Sequence, residues 1–306
     1  MKKLMISMLA IASMTAMVSC SNENDPIDDA QDQPVEIKMS AGILNVSTKA
    51  PIDETLSADL NDIAFIRFDG AQNGTWTWDE TLNPINAIIK KADMGITFTP
   101  VQYYPTDKSQ YAHLIGYYPS TIFSSRTNKN ITITGFDGTQ DIMYAGEQKG
   151  NKENASITTS FAHQLSQLKF KFEKESSFTN TSTISNIVIK GTKEPISLDL
   201  SNGAITYGTN DFSINLTGKS YVLDGTEQAQ TLIQAIPTEG TATDITLDIT
   251  LSDGTTFPNV TVTGIEKPEK GKAHLITLTF SQKDVAAIAT IAKWEDSTTT
   301  GSGNVQ

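Results

Sequence analysis

Three histidines, one cysteine and scattered carboxylates are the residues of this 306-residue chain that could do chemistry. His113, His163 and His274 lie far apart, and none has a second histidine three or four positions away. No helix could therefore present a zinc-binding pair. His113 runs into LIGYYPS and His163 sits in FAHQLSQL, contexts that suit polar positions on a strand face. The chain carries no G-x-S-x-G nucleophile turn, H-E-x-x-H pair, phosphate-binding loop or dinucleotide glycine pattern. Its Asp-Gly pairs suit turns better than calcium loops. The expectation is a non-enzymatic protein with no cofactor and no metal. A hydrolase using two carboxylates leaves no linear signature. That alternative requires a cleft holding two carboxylates a few ångströms apart.

Cys20 is chemically distinctive because it is alone and because of where it stands. Lys2 and Lys3 precede an apolar run from Leu4 to Val18, after which MVSCSNEND turns abruptly polar. The run is shorter than the roughly 20 residues a membrane span needs, and its flanks are those of a secretory leader. Val18-Ser19-Cys20 is close to a bacterial lipobox, in which the cysteine becomes the first mature residue and carries the lipid, palmitate included. With no second cysteine it has no intramolecular disulfide to form. Lipidation at Cys20 accounts for both its position and its solitude, and would tie the protein to the outer membrane without a spanning helix. The formal net charge is −12, and loss of Lys2 and Lys3 with the leader makes it more negative. Nucleic acid and anionic membrane surfaces are poor partners for such a chain.

Aromatic residues offer binding chemistry. Trp76 and Trp78 stand two apart in GTWTWDE, and Tyr103-Tyr104 and Tyr117-Tyr118 are adjacent. Alternate tryptophans on one strand face could stack on a sugar ring. The plainer expectation is that one member of each pair fills the core while the other covers its edge.

The elements that must position these residues are strands. Residues 1–19 form the leader, and Ser21 to Pro34 has almost nothing to bury and is expected to be a flexible tether over 20–34. Val35, Ile37, Met39, Ala41 and Ile43 then alternate with polar or small residues, the period of a half-buried strand over 35–46. The same pattern recurs at Leu168–Phe172, Ile196–Leu200, Ile245–Leu251 and Ile276–Phe280, with turns expected at Asp69-Gly70, Asp137-Gly138, Asn202-Gly203 and Asp253-Gly254. Many short strands with regular turns argue an all-β, sandwich-like architecture. Helical spacing appears over Asp79–Lys91, although Pro84 interrupts it. The alanines of Val285–Lys293 favour helix locally, although VAAIATIAK fits either period. Polar GEQKGNKEN, residues 146–154, suggests a linker or long loop dividing an N-terminal domain, 35–150, from a C-terminal domain, 151–306.

After Cys20 come VSTKAP at 46–51, LIGYYPS at 114–120, DIMYAG at 141–146, SFAHQLSQLKFKF at 160–172 and IAKW at 291–294. The order of these motifs resembles the fimbrillin family of Bacteroidales, subunits of type V pili. The resemblance implies two β-sandwich domains with transthyretin-like topology. It implies export as a surface lipoprotein, proteolytic trimming after the first strand, and polymerisation with other pilus subunits by donor-strand exchange. The matching processing position is Lys49, where the family commonly has arginine; as a residue, Lys49 is equally at home as a solvated loop cation. The donor segment would lie within 284–306, whose end, EDSTTTGSGNVQ, is polar. A tip or accessory role is therefore expected alongside a stalk role. A different expectation is a surface lipoprotein that never polymerises and binds glycans through Trp76 and Trp78.

Overall fold

The computed structural model describes residues 33–44, 56, 58–79, 81–225, 227–234, 245–265 and 268–292. Among them there is no α-helix, and the described residues from Pro34 onward belong to one compact unit. The strands are β1 (Lys38–Leu44), β2 (Leu60–Ala71), β3 (Ile85–Ile89), β4 (Gly95–Thr99), β5 (Gln110–Tyr118), β6 (Phe123–Thr127), β7 (Asn130–Ile133), β8 (Met143–Gly150) and β9 (Ser156–His163). They continue as β10 (Ser166–Lys174), β11 (Ile184–Asp199), β12 (Ile205–Tyr221), β13 (Glu227–Gln234), β14 (Thr246–Leu251), β15 (Thr256–Thr263), β16 (Ala273–Phe280) and β17 (Val285–Ala292). The all-β expectation holds.

Where a sandwich was expected, the first sheet closes on itself as a barrel, in the order β1-β4-β3-β2-β5-β8-β9. Its interior is apolar: Ile63 and Phe65 of β2, Ile96 and Phe98 of β4, Leu114 of β5 and Phe161 of β9 form one core with β1. Phe65 meets Phe98 edge-on at 5.3 Å and Phe161 at 6.0 Å. Gly116 makes room for them, since a Cβ there would stand 2.8 Å from both Phe161 Cζ and Phe65 Cε1.

The second sheet runs β13-β10-β16-β17-β15-β14-β11-β7-β6, with β12 on β11. One core takes Phe170 and Phe172 from β10, Ile187 and Ile189 from β11, Leu247 from β14, and Ile276 and Phe280 from β16. A third apolar cluster joins the barrel's outer face, Ala64, Ile66, Ile115 and Tyr117, to Ile131, Ile133, Leu198 and Leu200 of the second sheet.

Several local expectations give way to pairing. Residues 146–154 are neither linker nor long loop. They complete β8, which pairs with β5 as far as Gly150↔Ala112, and make a tight turn in which Asn151 Oδ1 accepts from Asn154 N at 2.9 Å. The chain changes sheet later, between His163 and Ser166, having already lent β6 and β7 to the second sheet. The helical spacing at Asp79–Lys91 resolves into β3. The alanine-rich Val285–Ala292 is β17, paired with β16 from Ala273↔Ala292 to Phe280↔Val285. Alternate burial of Val285, Ala287 and Ala289 against a core outweighs alanine's local helix preference. Asp69-Gly70 lies inside β2, opposite Ala112 and Tyr111, and is no turn. The turns at Asn202-Gly203 and Asp253-Gly254 are present, with positive φ at both glycines.

Candidate functional site

The strand that the alternation located most clearly is the one that closes the barrel. β1 pairs in parallel with β9 along its whole length, from Lys38↔Ser156 to Leu44↔Ala162. On its other side it meets β4 antiparallel at Met39↔Ile96 and Ser40↔Gly95. Ile37, Met39, Ala41 and Ile43 all point into the core and are buried. Lys38 is exposed, and Ser40 and Gly42 are half-buried on the other face. The approach to β1 is tied down by backbone. Ile37 N donates to Gln102 O and Tyr104 N donates to Val35 O, each at 2.9 Å. Tyr104 Oη donates to Ala155 O at 3.0 Å, and burial pushes that phenol up to about 12.

The energetics of this strand are those of a removable keystone. Burying Ile37, Met39 and Ile43 contributes about 5–9 kcal/mol at full burial. Taking β1 out would uncover that surface. It would also leave unpaired N–H and C=O groups along β4 and β9, an edge that favours any strand of suitable pattern.

The tryptophans lie outside the barrel, on the segment between β2 and β3. Trp76 and Trp78 stack on each other at 5.0 Å and 18°, and Trp76 tilts against Phe68 at 5.6 Å. Both are half-buried and pack on the cluster between the sheets. Their stacking surface is thus largely spent on each other. Arg126 holds this segment, donating to the carbonyls of Asp79 and Leu82. Beneath it His113 is fully buried on β5. Its Nδ1 is 2.5 Å from Glu147 Oε1 and its Nε2 is 3.0 Å from Ala71 O. His163 pairs through Nδ1 with buried Asp141 at 2.6 Å. All three histidines are on strands, each inside a packed face. The tyrosine pairs divide as expected: Tyr104 and Tyr117 are buried, while Tyr103 is exposed and Tyr118 covers the barrel core.

Cys20, Lys49 and residues 293–306 lie outside the described residues. The described part of the candidate donor, 285–292, is β17, held between β16 and β15. Among the described residues no group of three or more His, Cys, Asp and Glu side chains could hold a metal.

A family model described as fimbrillin-like matches residues 48–294. The chain belongs to the fimbrillin-like family. Solved structures share the fold of this fimbrillin-like protein. One, described as a cell adhesion protein from Bacteroides uniformis, superposes with a TM-score of 0.58 at 18% identity, covering 86% of this chain and 99% of its own. Another of the same description, from Bacteroides ovatus, gives 0.53 at 15% identity, covering 86% and 97%. At such identities the likeness concerns the fold alone. No curated protein matches the sequence.

Proposed function

We propose that this fimbrillin-like chain is a pilus subunit, exported as an outer-membrane lipoprotein through Cys20 and assembled by strand exchange at the β1 slot, with a role in adhesion. Family membership supports a fimbrial or adhesive protein, and the observation that carries the finer reading is β1 itself. It is the first described strand, its alternate side chains fill the barrel, and Lys49 follows it by five residues. Cleavage after Lys49 would sever β1 from the rest of the barrel while leaving it bound by pairing alone. A partner's strand of better fit could then displace it. The two expected sandwiches with transthyretin-like topology, divided into 35–150 and 151–306, belong to the same reading. The slot itself belongs to the barrel, which also takes β9 from beyond residue 150. β17 is paired along its whole length with β16 and at Ala287 and Ile288 with β15, so a donor strand from this chain would come from beyond it, within 293–306. That polar composition supports a tip or accessory place as well as one in the stalk.

The test is conversion by a lysine-specific protease. Uncut precursor is expected to be monomeric. Cut protein is expected to form ladders or to capture a donor peptide, and Lys49→Ala to block this with the fold intact. If cut and uncut protein both remain monomeric with every partner tried, strand exchange fails and a non-polymerising surface lipoprotein is the better account.

A further inference from the structure

The ribbon formed by β11 and β12 shifts register at several places, and two successive shifts toward its hairpin end open a pocket. From Ile187↔Leu216 to Ile189↔Ile214 the two strands pair one to one. Farther along, the pairing breaks in opposite senses. Between Lys193↔Asp211 and Pro195↔Tyr207, β11 places Glu194 against Gly208–Asn210 of β12. Between Pro195↔Tyr207 and Ser197↔Thr206, β11 has Ile196 in excess and β12 has nothing opposite. Bulges re-aim side chains and gather at sites of function. Here they open a cavity of about 330 Å³ lined by Glu194, Ile196, Tyr207, Asn210, Asp211 and Phe212, among others.

The pocket is braced rather than slack. Lys193 Nζ donates to Thr209 O at 2.9 Å and to Asp211 Oδ1 at 2.7 Å. Thr192 Oγ1 donates to Phe212 O at 2.5 Å. Ile196 is 39% exposed, an apolar surface without cover. Among the described residues no ion pair or hydrogen bond occupies the Glu194 carboxylate.

We propose that this pocket binds one neutral hexose unit of a surface glycan. Its volume suits a single sugar ring. A pyranose presents a C–H face that packs on Tyr207 and Ile196, and hydroxyls that donate to Glu194 and pair with the Asn210 amide. Charge narrows the class. Lys193 is already engaged by Asp211, Glu194 adds a negative charge, and the chain is acidic overall, so sialylated and sulfated sugars are repelled. The Lys193 hydrogen bond and charge hold Asp211 below the usual carboxylate range, so it adds a second negative charge to the pocket wall. This site takes its place in the adhesive part of the function proposed above and is independent of strand exchange. Its failure would leave the protease test untouched.

Saturation-transfer NMR on the full mature chain, with the methyl glycosides of glucose, galactose, mannose and sialic acid as probes, tests it. At least one neutral glycoside is expected to bind, and the sialoside not. Tyr207→Ala is expected to weaken binding by about tenfold, while Tyr207→Phe retains it. Gly208→Leu should block the cavity without strain, because a Cβ at Gly208 makes only ordinary contacts, 3.6 Å to Ile196 Cγ2 and 3.7 Å to Glu194 O. Trp78→Ala should leave binding unchanged. The proposal is overturned if no neutral glycoside binds, if binding survives both Tyr207→Ala and Gly208→Leu, or if Trp78→Ala alone abolishes it.

Discussion

At the scale of single residues, two positions convert geometry into measurable stability. Gly116 lies where the Phe65 and Phe161 rings approach the backbone, and Gly116→Ala forces one ring or the strand to move. The expected loss is about 1–3 kcal/mol, the usual cost of overpacking, read as a lower midpoint in urea. An unchanged midpoint would show that the rings have room to yield. His274 is buried on β16 with Nε2 unpartnered, and burial first, then nearby Lys272, lowers its pKa from 6.5, with Glu269 opposing. The unfolded chain therefore binds this proton more readily than the fold does. The contribution is fully present above about 6.5 and falls as the pH drops below it. Denaturation of wild type and His274→Leu across that range is expected to give a flatter profile for the variant; parallel profiles would contradict this. Little of this was legible in the sequence. Gly116 is a lone glycine in LIGYYPS until the rings on β2 and β9 are placed against it. The histidines were legible as strand residues, but their carboxylate partners Glu147 and Asp141 belong to other segments.

At the scale of elements, legibility followed burial. Val35 to Ile43 alternates because only one face of β1 meets the core, and period-two reading works there. It failed where neighbours, rather than local pattern, decide the state. β17 is a strand because β16 pairs with all of it, a fact carried by Ala273–Phe280 and not by VAAIATIA. Asp69-Gly70 looks like a turn, yet both residues stay paired within β2, and glycine is needed at 70 because a Cβ there would stand 2.6 Å from the Phe68 ring. The same glycine chemistry at Gly203 does mark a turn, since φ there is +74°. The tryptophan pair was readable as aromatic surface, but not as a self-stacked cover. The β11–β12 pocket left no linear signal, because opposed bulges exist only in the register between two strands.

At the scale of the whole molecule, the barrel and the second sheet share an apolar seam, and the proposed lipid would restrain both through one point ahead of Pro34. Cys20→Ala is expected to abolish labelling by a fatty-acid analogue and to move the protein out of the membrane fraction; persistent labelling would remove Cys20 from the account. The seating of β1 also has a consequence for timing. Ser40 and Thr158 face each other across 118 positions of chain. A polypeptide that crosses a membrane N-terminus first delivers β1 long before β9 exists to receive it. On the proposed export route the barrel would therefore close late, since distant contacts form slowly. Throughout that interval β4 alone can pair with it, at Met39 and Ser40, and when β9 arrives its slot is open to competition. Covalent connection gives the native strand its advantage, as a high effective concentration. Severing that connection makes the contest bimolecular, so the order of arrival, as much as affinity, decides which strand completes the barrel.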